Sequence, residues 1–130
     1  MKRVEDLMSR VVITLKEHDT INVAKLEMDI AAIRHLPVVD NERRVVGLVS
    51  LFDLLQAFAR HEGHPIQVAD VMVREVRTVR AKTPAHEAAR RLLDHKIGSL
   101  PVLDADDRIV GMITETDFLR IAEEALERGI

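Results

Sequence analysis

The sequence predicts an α/β (α+β) fold made of two tandem units, each a small, mostly three-stranded sheet packed with helices. Two observations carry that expectation. Sliding the chain against itself by 64 positions, so that Val4–Leu55 faces Val68–Leu119, gives 17 identities in 52 positions without a gap, the self-similarity of an internal repeat. Within each copy the apolar period alternates between β-branched runs and helical spacing, in the same order both times. A unit of roughly 50–60 residues is marginal alone, and two together can close one core. The expected division is a first unit at 1–62, a linker at 63–67 and a second unit at 68–130. The linker holds Gly63 and Pro65 and is short enough for the units to pack rather than swing.

The elements follow in order. "VVIT" (11–14) and "VRTV" (76–79) are β-branched runs that predict the first strand of each unit. Val23, Leu26, Ile30 and Ile33 recur at helical spacing and predict a helix with that apolar face. In the second copy "TPAHEAARRLLDHK" (83–96) offers Thr83 as N-cap and Pro84 at the first helical position, followed by Ala85, Ala88, Ala89, Leu92 and Leu93. "LPVVD" (36–40) and "LPVLD" (100–104) predict strands entered through a proline, where the missing N–H does least damage. "NERR" (41–44) and "ADDR" (105–108) are polar turns. "VVGLVS" (45–50) and "IVGMIT" (109–114) are the next strands, and "LFDLLQAFARH" (51–61) and "ETDFLRIAEEALERG" (115–129) the closing helices. The order is strand, helix, strand, strand, helix, twice, with a right-handed crossover expected. The closing helices carry more apolar surface than so small a core needs, with Leu51, Leu54, Leu55 and Phe58 in one and Phe118, Leu119, Ala122, Ala125 and Leu126 in the other. That surplus predicts either self-association or deeper core packing.

Composition removes several classes of function. Lys and Arg (19) nearly balance Asp and Glu (22), and the signs are interleaved, so no track for a phosphate backbone exists and no duplex nucleic-acid partner is expected. Three Phe are the only aromatics, too few to stack single-stranded bases. The lack of Cys excludes disulfides, thiolate chemistry and Cys-ligated zinc, and fits a reducing cytosol. Acids interrupt the opening "MKRVEDLM", and no apolar run approaches the roughly 20 residues of a membrane span. A cytoplasmic protein without membrane association is expected. "HEGH" (61–64) places its His residues three apart rather than four and runs into Gly63 and Pro65, which reads as a linker cluster rather than a metal site. Neither a phosphate loop for nucleotide hydrolysis nor a catalytic triad is readable, so no enzyme is expected. Met8, Met28, Met72 and Met112 read as flexible core filling.

The informative motif occurs twice: "GLVSLFD" (47–53) and "GMITETD" (111–117). In each a Ser or Thr stands at a strand-to-helix junction with an Asp three residues on. The bland reading is a capping box, with Asp a short substitute for the usual Glu or Gln and favoured by the helix dipole. The functional reading is a ligand site, because free N–H groups at a helix start attract anions. A hydroxyl there can donate to phosphate, and a carboxylate can hold both hydroxyls of a ribose. Gly47 and Gly111, costly inside strands, mark close approach of a backbone or a ligand.

The combination of "VEDLMSRVVIT" and "VADVMVREVRT", "AAIRHLPVVD" and "HKIGSLPVLD", and "RRVVGLVSLFDLL" and "DRIVGMITETDFL" covers nearly all of Val4–Leu119. It resembles a tandem pair of cystathionine-beta-synthase-type (CBS) domains in minimal stand-alone form. The resemblance implies two units related by an internal pseudo-twofold, two ligand clefts between them, and a homodimer. It further implies a regulatory module for AMP, ADP or ATP, and after these S-adenosylmethionine, acting on an unidentified regulated protein. The alternative is a constitutive dimerisation or interaction scaffold without a nucleotide. Carried over by position, Asp53 and Asp117 bind ribose, and Ser50 and Thr114 are the phosphate-side hydroxyls. Thr14 and Thr78 line the base region. His35 and, in the second copy, Ser99 with Leu100 present side chains and main chain to the ligand. Arg34 and His35 offer positive charge to phosphate in the first site, as does Arg120 in the second, where Gln56 is the first-copy counterpart.

Overall fold

The computed structural model describes residues 1–60 and 63–130. In chain order the elements are α1 (Val4–Leu7), α2 (Ile21–Ala31), β1 (His35–Val39), β2 (Val45–Ser50), α3 (Leu51–Ala59), a 3-10 turn (Val68–Asp70), β3 (Val79–Arg80), α4 (Ala85–His95), β4 (Ser99–Leu103), β5 (Ile109–Thr114) and α5 (Glu115–Glu127). The hairpins β1–β2 and β4–β5 are antiparallel copies of each other, from His35↔Ser50 and Ser99↔Thr114 to Val38↔Gly47 and Val102↔Gly111, each with a register shift one residue later. Their turns close in the same way. Asp40 Oδ1 accepts from the amides of Glu42 (2.8 Å) and Arg44 (3.0 Å), and Asp104 Oδ1 from those of Asp106 (2.8 Å) and Arg108 (3.0 Å). These are the Asx turns that such polar tracts encode.

The first strand of each copy is shorter than its β-branched run. β3 pairs in parallel with β4 through Val79↔Val102 and Arg80↔Leu103. In the first copy only Leu15 bridges, in parallel, to Val38, its amide donating to Pro37 O (3.0 Å) and its carbonyl accepting from Val39 N (2.9 Å). "VVIT" therefore forms no strand. Propensity yields a strand only where a partner is within reach, and the partner begins at Leu15.

Two compact units result, Ile13–Val76 and Met1–Val12 with Arg77–Ile130. They differ from the sequence division of 1–62 and 68–130 because the two copies exchange their leading segments. Val4 N donates to Thr83 O (2.8 Å) and Glu5 N to Ala81 O (3.0 Å), while Val68 N donates to Asp19 O (2.7 Å) and Ala69 N to Glu17 O (2.9 Å). Ser9 then bridges antiparallel to Met112 and Val73 to Leu48. Each leader thus adds a short edge to the hairpin of the other copy.

Each unit has its own core. In 13–76, Leu15, Met28, Leu36, Val38, Val49 and Leu54 are among the buried residues of one cluster, which also takes in Val68 and Met72 of the exchanged leader. In the other, Val4 and Met8 join Val79, Ala88, Leu92, Leu100, Val102 and Ile113.

Two helix expectations are corrected. α2 buries Ile21, Ala24 and Met28, whereas Val23, Leu26 and Ile30 are 43%, 57% and 73% exposed; of the expected apolar face only Ile33, beyond the helix, packs on the core. Small Ala24 lets the helix approach closely, and its counterpart Ala88 is buried likewise in α4. In α4 the cap position falls on Pro84, not Thr83. Pro84 bridges to Arg3, Ala85 N donates to Lys2 O (2.9 Å), and the Thr83 carbonyl is taken by Val4, so the exchanged leader supplies what a side-chain cap would have. The surplus apolar surface of the closing helices divides: Leu54 is buried and Leu51, Phe58 and Phe118 pack on the cores, while Leu55, Leu119 and Leu126, together with Phe52, are exposed. Among the described residues no helix is long and apolar enough to cross a membrane.

Candidate ligand-binding site

In the 13–76 unit, β2 runs directly into α3 and the junction gathers four of the expected residues. His35 is the register partner of Ser50, and the Arg34 carbonyl accepts from Leu51 N (2.8 Å). Ser50 Oγ accepts from Asp53 N (3.1 Å), and Asp53 Oδ2 accepts from Ser50 N (3.2 Å). The capping box is therefore formed. Thr14 lies on the far side of β1 from Ser50, one residue before the Leu15 bridge.

The 77–130 unit repeats this corner with different chemistry. Ser99 is the partner of Thr114, and the Gly98 carbonyl accepts from Glu115 N (3.1 Å). Asp117 Oδ2 accepts from Thr114 N at 2.8 Å, and the Thr114 hydroxyl donates to the same oxygen at 3.4 Å. Asp117 is only 14% exposed in its side chain, while Arg120, 65% exposed, places Nη1 3.9 Å from Asp117 Oδ1. Thr78 precedes β3, its carbonyl accepting from Arg91 Nη1 (3.1 Å). Leu100 is fully buried in the core, so its side chain is committed there.

Both carboxylates spend Oδ2 on the cap and keep Oδ1 outside it. A carboxylate accepts about four hydrogen bonds, so capping and ligand binding use different lone pairs of one group. The helix start also retains the partial positive charge of its amides. Chemically each corner can hold a neutral diol on the carboxylate and an anion beside the hydroxyl.

The glycines have a different explanation from a ligand. A Cβ on Gly47 would collide with the Met72 side chain, and one on Gly111 with the Met8 side chain and, at 2.8 Å, the Ser9 carbonyl oxygen. The close approach is that of the exchanged leader. Its signal was present in the sequence as two pairs of identities, Met8 with Met72 and Gly47 with Gly111, although nothing in one sequence connects a methionine to a glycine about 100 residues away in one case and 25 in the other. His61 of "HEGH" lies outside the described residues.

A family model described as CBS domain matches residues 4–60 and again 68–124. The chain belongs to the CBS-domain family. CBS-domain pairs are regulatory modules rather than catalytic ones. The chain spans about a quarter of the length of the curated relatives it matches first, such as homoserine O-acetyltransferase of Methanohalobium evestigatum, 34% identical over 121 residues, 93% of this chain and 24% of the relative. Several solved structures match along nearly their whole length. AcuB of Vibrio cholerae, a protein assigned to acetoin utilization, is 40% identical with a TM-score of 0.86, covering 98% of this chain and 94% of that one. The CBS domain pair of protein MJ0100, in complex with 5′-methylthioadenosine and S-adenosyl-L-methionine, is 27% identical with a TM-score of 0.86, covering 95% and 98%. CBSX2 of Arabidopsis thaliana in complex with AMP is 29% identical with a TM-score of 0.82, covering 95% and 98%.

Proposed function

We propose that this CBS pair is an adenine-nucleotide-binding regulatory module, with its two repeats, joined through 63–67, working as one. AMP, ADP or ATP is the ligand, with S-adenosylmethionine after them. Asp53 and Asp117 hold the ribose hydroxyls, Ser50 and Thr114 face the phosphate, and Thr14 and Thr78 flank the base. Arg34, His35 and Arg120 add phosphate contacts, Ser99 a hydroxyl and Leu100 its main chain.

The observation that carries the reading is the hydroxyl–carboxylate pair at both strand-to-helix junctions, each carboxylate with one oxygen outside the cap. Relatives of the same fold hold AMP or S-adenosylmethionine. Binding alone regulates nothing; the ligand must prefer one of two states, and the exposed Phe52, Leu55, Leu119 and Leu126 supply surface for a dimer or a regulated partner to sense that difference. The same residues favour the second reading, a constitutive dimerisation scaffold.

Calorimetric titration of nucleotide-free protein with AMP, ATP and S-adenosylmethionine separates the two. Saturable binding that Asp117→Ala or Asp53→Ala reduces at least tenfold, in variants with unchanged circular dichroism, is the expected result. No binding of any of the three supports the scaffold instead.

A further inference from the structure

The two closing helices are repeat counterparts with different surroundings. α3 buries Leu54 and Ala57 and packs Leu51 and Phe58 on the core of its unit. At an offset of 64 these four positions become Phe118, Ile121, Glu115 and Ala122, and none of the thirteen residues of α5 is buried. Ile121 is 39% exposed where Ala57 is 1%; a branched side chain replaces the methyl group that lets α3 lie close. Of the apolar side chains of α5, only Phe118 packs on the core of its unit. A helix of this length is marginal in water by itself and draws most of its stability from a packed face.

The uncovered face has a pattern of its own. Leu119, Ala122 and Leu126 recur at i, i+3 and i+7 on one side, and with Glu123 and Glu127 they line a shallow groove. Leu119 and Leu126 are 70% and 73% exposed. Neither Glu forms an ion pair among the described residues, whereas Arg120 is turned to Asp117. The first copy has Ala59 and Gly63 at the two Glu positions, so the repeat architecture does not demand the acidic flank. Three apolar side chains fall well short of the roughly 800 Å² per partner of a standard interface. They suit a single amphipathic helix laid along α5. Another α5 is a poor occupant: antiparallel pairing with Leu119 on Leu126 sets two Glu123 side chains together at the axis, and like charges so placed oppose association.

We propose that this face of α5 docks a helix of another protein, one with an apolar stripe for Leu119, Ala122 and Leu126 and a Lys- or Arg-bearing flank for Glu123 and Glu127. The proposal names the chemistry of the regulated partner and rests on the regulatory reading for its purpose, while the contact itself needs no nucleotide.

The test uses the nucleotide-free full chain and two synthetic amphipathic peptides with Leu at every a and d position, one flanked by Lys and the other by Glu. Calorimetry is expected to show saturable binding of the Lys peptide, one per chain, and at least tenfold weaker binding of the Glu peptide. Glu123→Lys/Glu127→Lys should reverse that preference. Glu42→Lys/Glu75→Lys, which changes net charge equally but in the 13–76 unit, should keep it. Leu126→Ala should weaken the Lys peptide about tenfold, and Phe52→Ala should leave it within about twofold. No binding of the Lys peptide, a preference that both charge reversals abolish equally, or an equal loss from Phe52→Ala overturns the inference. So does a wild-type dimer in sedimentation that Leu126→Ala dissociates, which makes a second copy the occupant. Each of these results leaves nucleotide binding standing, and failure of AMP, ATP and S-adenosylmethionine to bind leaves the peptide result standing.

Discussion

Adding one methyl group at Gly111 tests whether the exchanged leader is held as described. The new Cβ meets Met8 Cγ at 3.0 Å and the Ser9 carbonyl oxygen at 2.8 Å. That oxygen accepts from Met112 N (3.0 Å), and Ser9 N donates to Met112 O (2.9 Å). Rotating Met8 cannot relieve the clash, because a bonded backbone atom must move as well. At Gly47 the three nearest atoms all belong to the Met72 side chain, which is long and unbranched and can adapt. Overpacking costs about 1–3 kcal/mol, and replacing Gly by Ala in a strand returns about 0.5–1 kcal/mol of backbone entropy. Gly47→Ala should then lose about 0–2.5 kcal/mol. Gly111→Ala should lose about 1 kcal/mol more, the worth of a disturbed backbone hydrogen bond, or roughly 3–6 °C in Tm for a chain of this size. Urea unfolding of both variants, with unchanged slopes, gives the difference directly. Shortening Met8 in the double variant Met8→Ala/Gly111→Ala removes the sulfur contact but not the Ser9 contact, so the Gly111 penalty should persist. Equal stability of the two glycine variants, or a more stable Gly111→Ala, would refute the docking of residues 8 and 9 against β5.

The remaining predictions concern a helix face and a turn. Leu26→Glu should leave stability within about 0.5 kcal/mol of wild type, as expected for an exposed site, whereas Met28→Ala should cost about 2–5 kcal/mol; the reverse order in urea unfolding would mean that α2 buries its other face. Asp40 is held below the usual carboxylate range chiefly by the N–H of Arg44, with that of Glu42 adding to it. Folding therefore favours its ionised form, and the contribution to stability is complete above the ordinary carboxylate value and lost as pH falls through the lowered one. The stability gap between wild type and Asp40→Asn should accordingly narrow between about pH 7 and about pH 3, and a gap that stays constant or widens in urea midpoints contradicts the turn geometry.

Much of this was legible in the sequence, for identifiable reasons. The hairpins were readable because proline, the Asx turn and alternation all specify them locally, and β1–β2 and β4–β5 fall within a residue of "LPVVD…VVGLVS" and "LPVLD…IVGMIT". The capping boxes were readable because they span three residues. What failed depended on distant partners. "VVIT" has strand propensity but no neighbour before Leu15, and the cap of α4 is the carbonyl of Lys2, more than 80 residues earlier. α2 presented two apolar faces, and periodicity could not choose between Val23–Leu26–Ile30 and Ile21–Ala24–Met28. The repeat did contain the answer: at an offset of 64 the first set becomes Glu87, Arg90 and Asp94, and the second Ala85, Ala88 and Leu92. Only the second is apolar in both copies, and it is the buried one.

That internal control extends to the site. Positions identical between the copies are those the shared architecture needs: Met8 and Met72 against Gly111 and Gly47, Ala24 and Ala88 under their helices, Asp40 and Asp104 in the turns, Asp53 and Asp117 in the caps. Around the two helix starts the copies part: Arg34 and His35 become Gly98 and Ser99, and Gln56 becomes Arg120. A structural cap asks nothing of those neighbours, since each box closes within three residues, so a duplicated scaffold gives no reason for one corner to carry Arg34 and His35 and the other Arg120 and a buried Ser99 hydroxyl, unpaired among the described residues. Two sites for unlike groups, or for one ligand at unlike affinity, do give a reason. It follows that removing Asp53 and removing Asp117 should differ in their effect on binding while their effects on helix capping remain alike, whereas in a scaffold that binds no nucleotide the two removals would differ in neither.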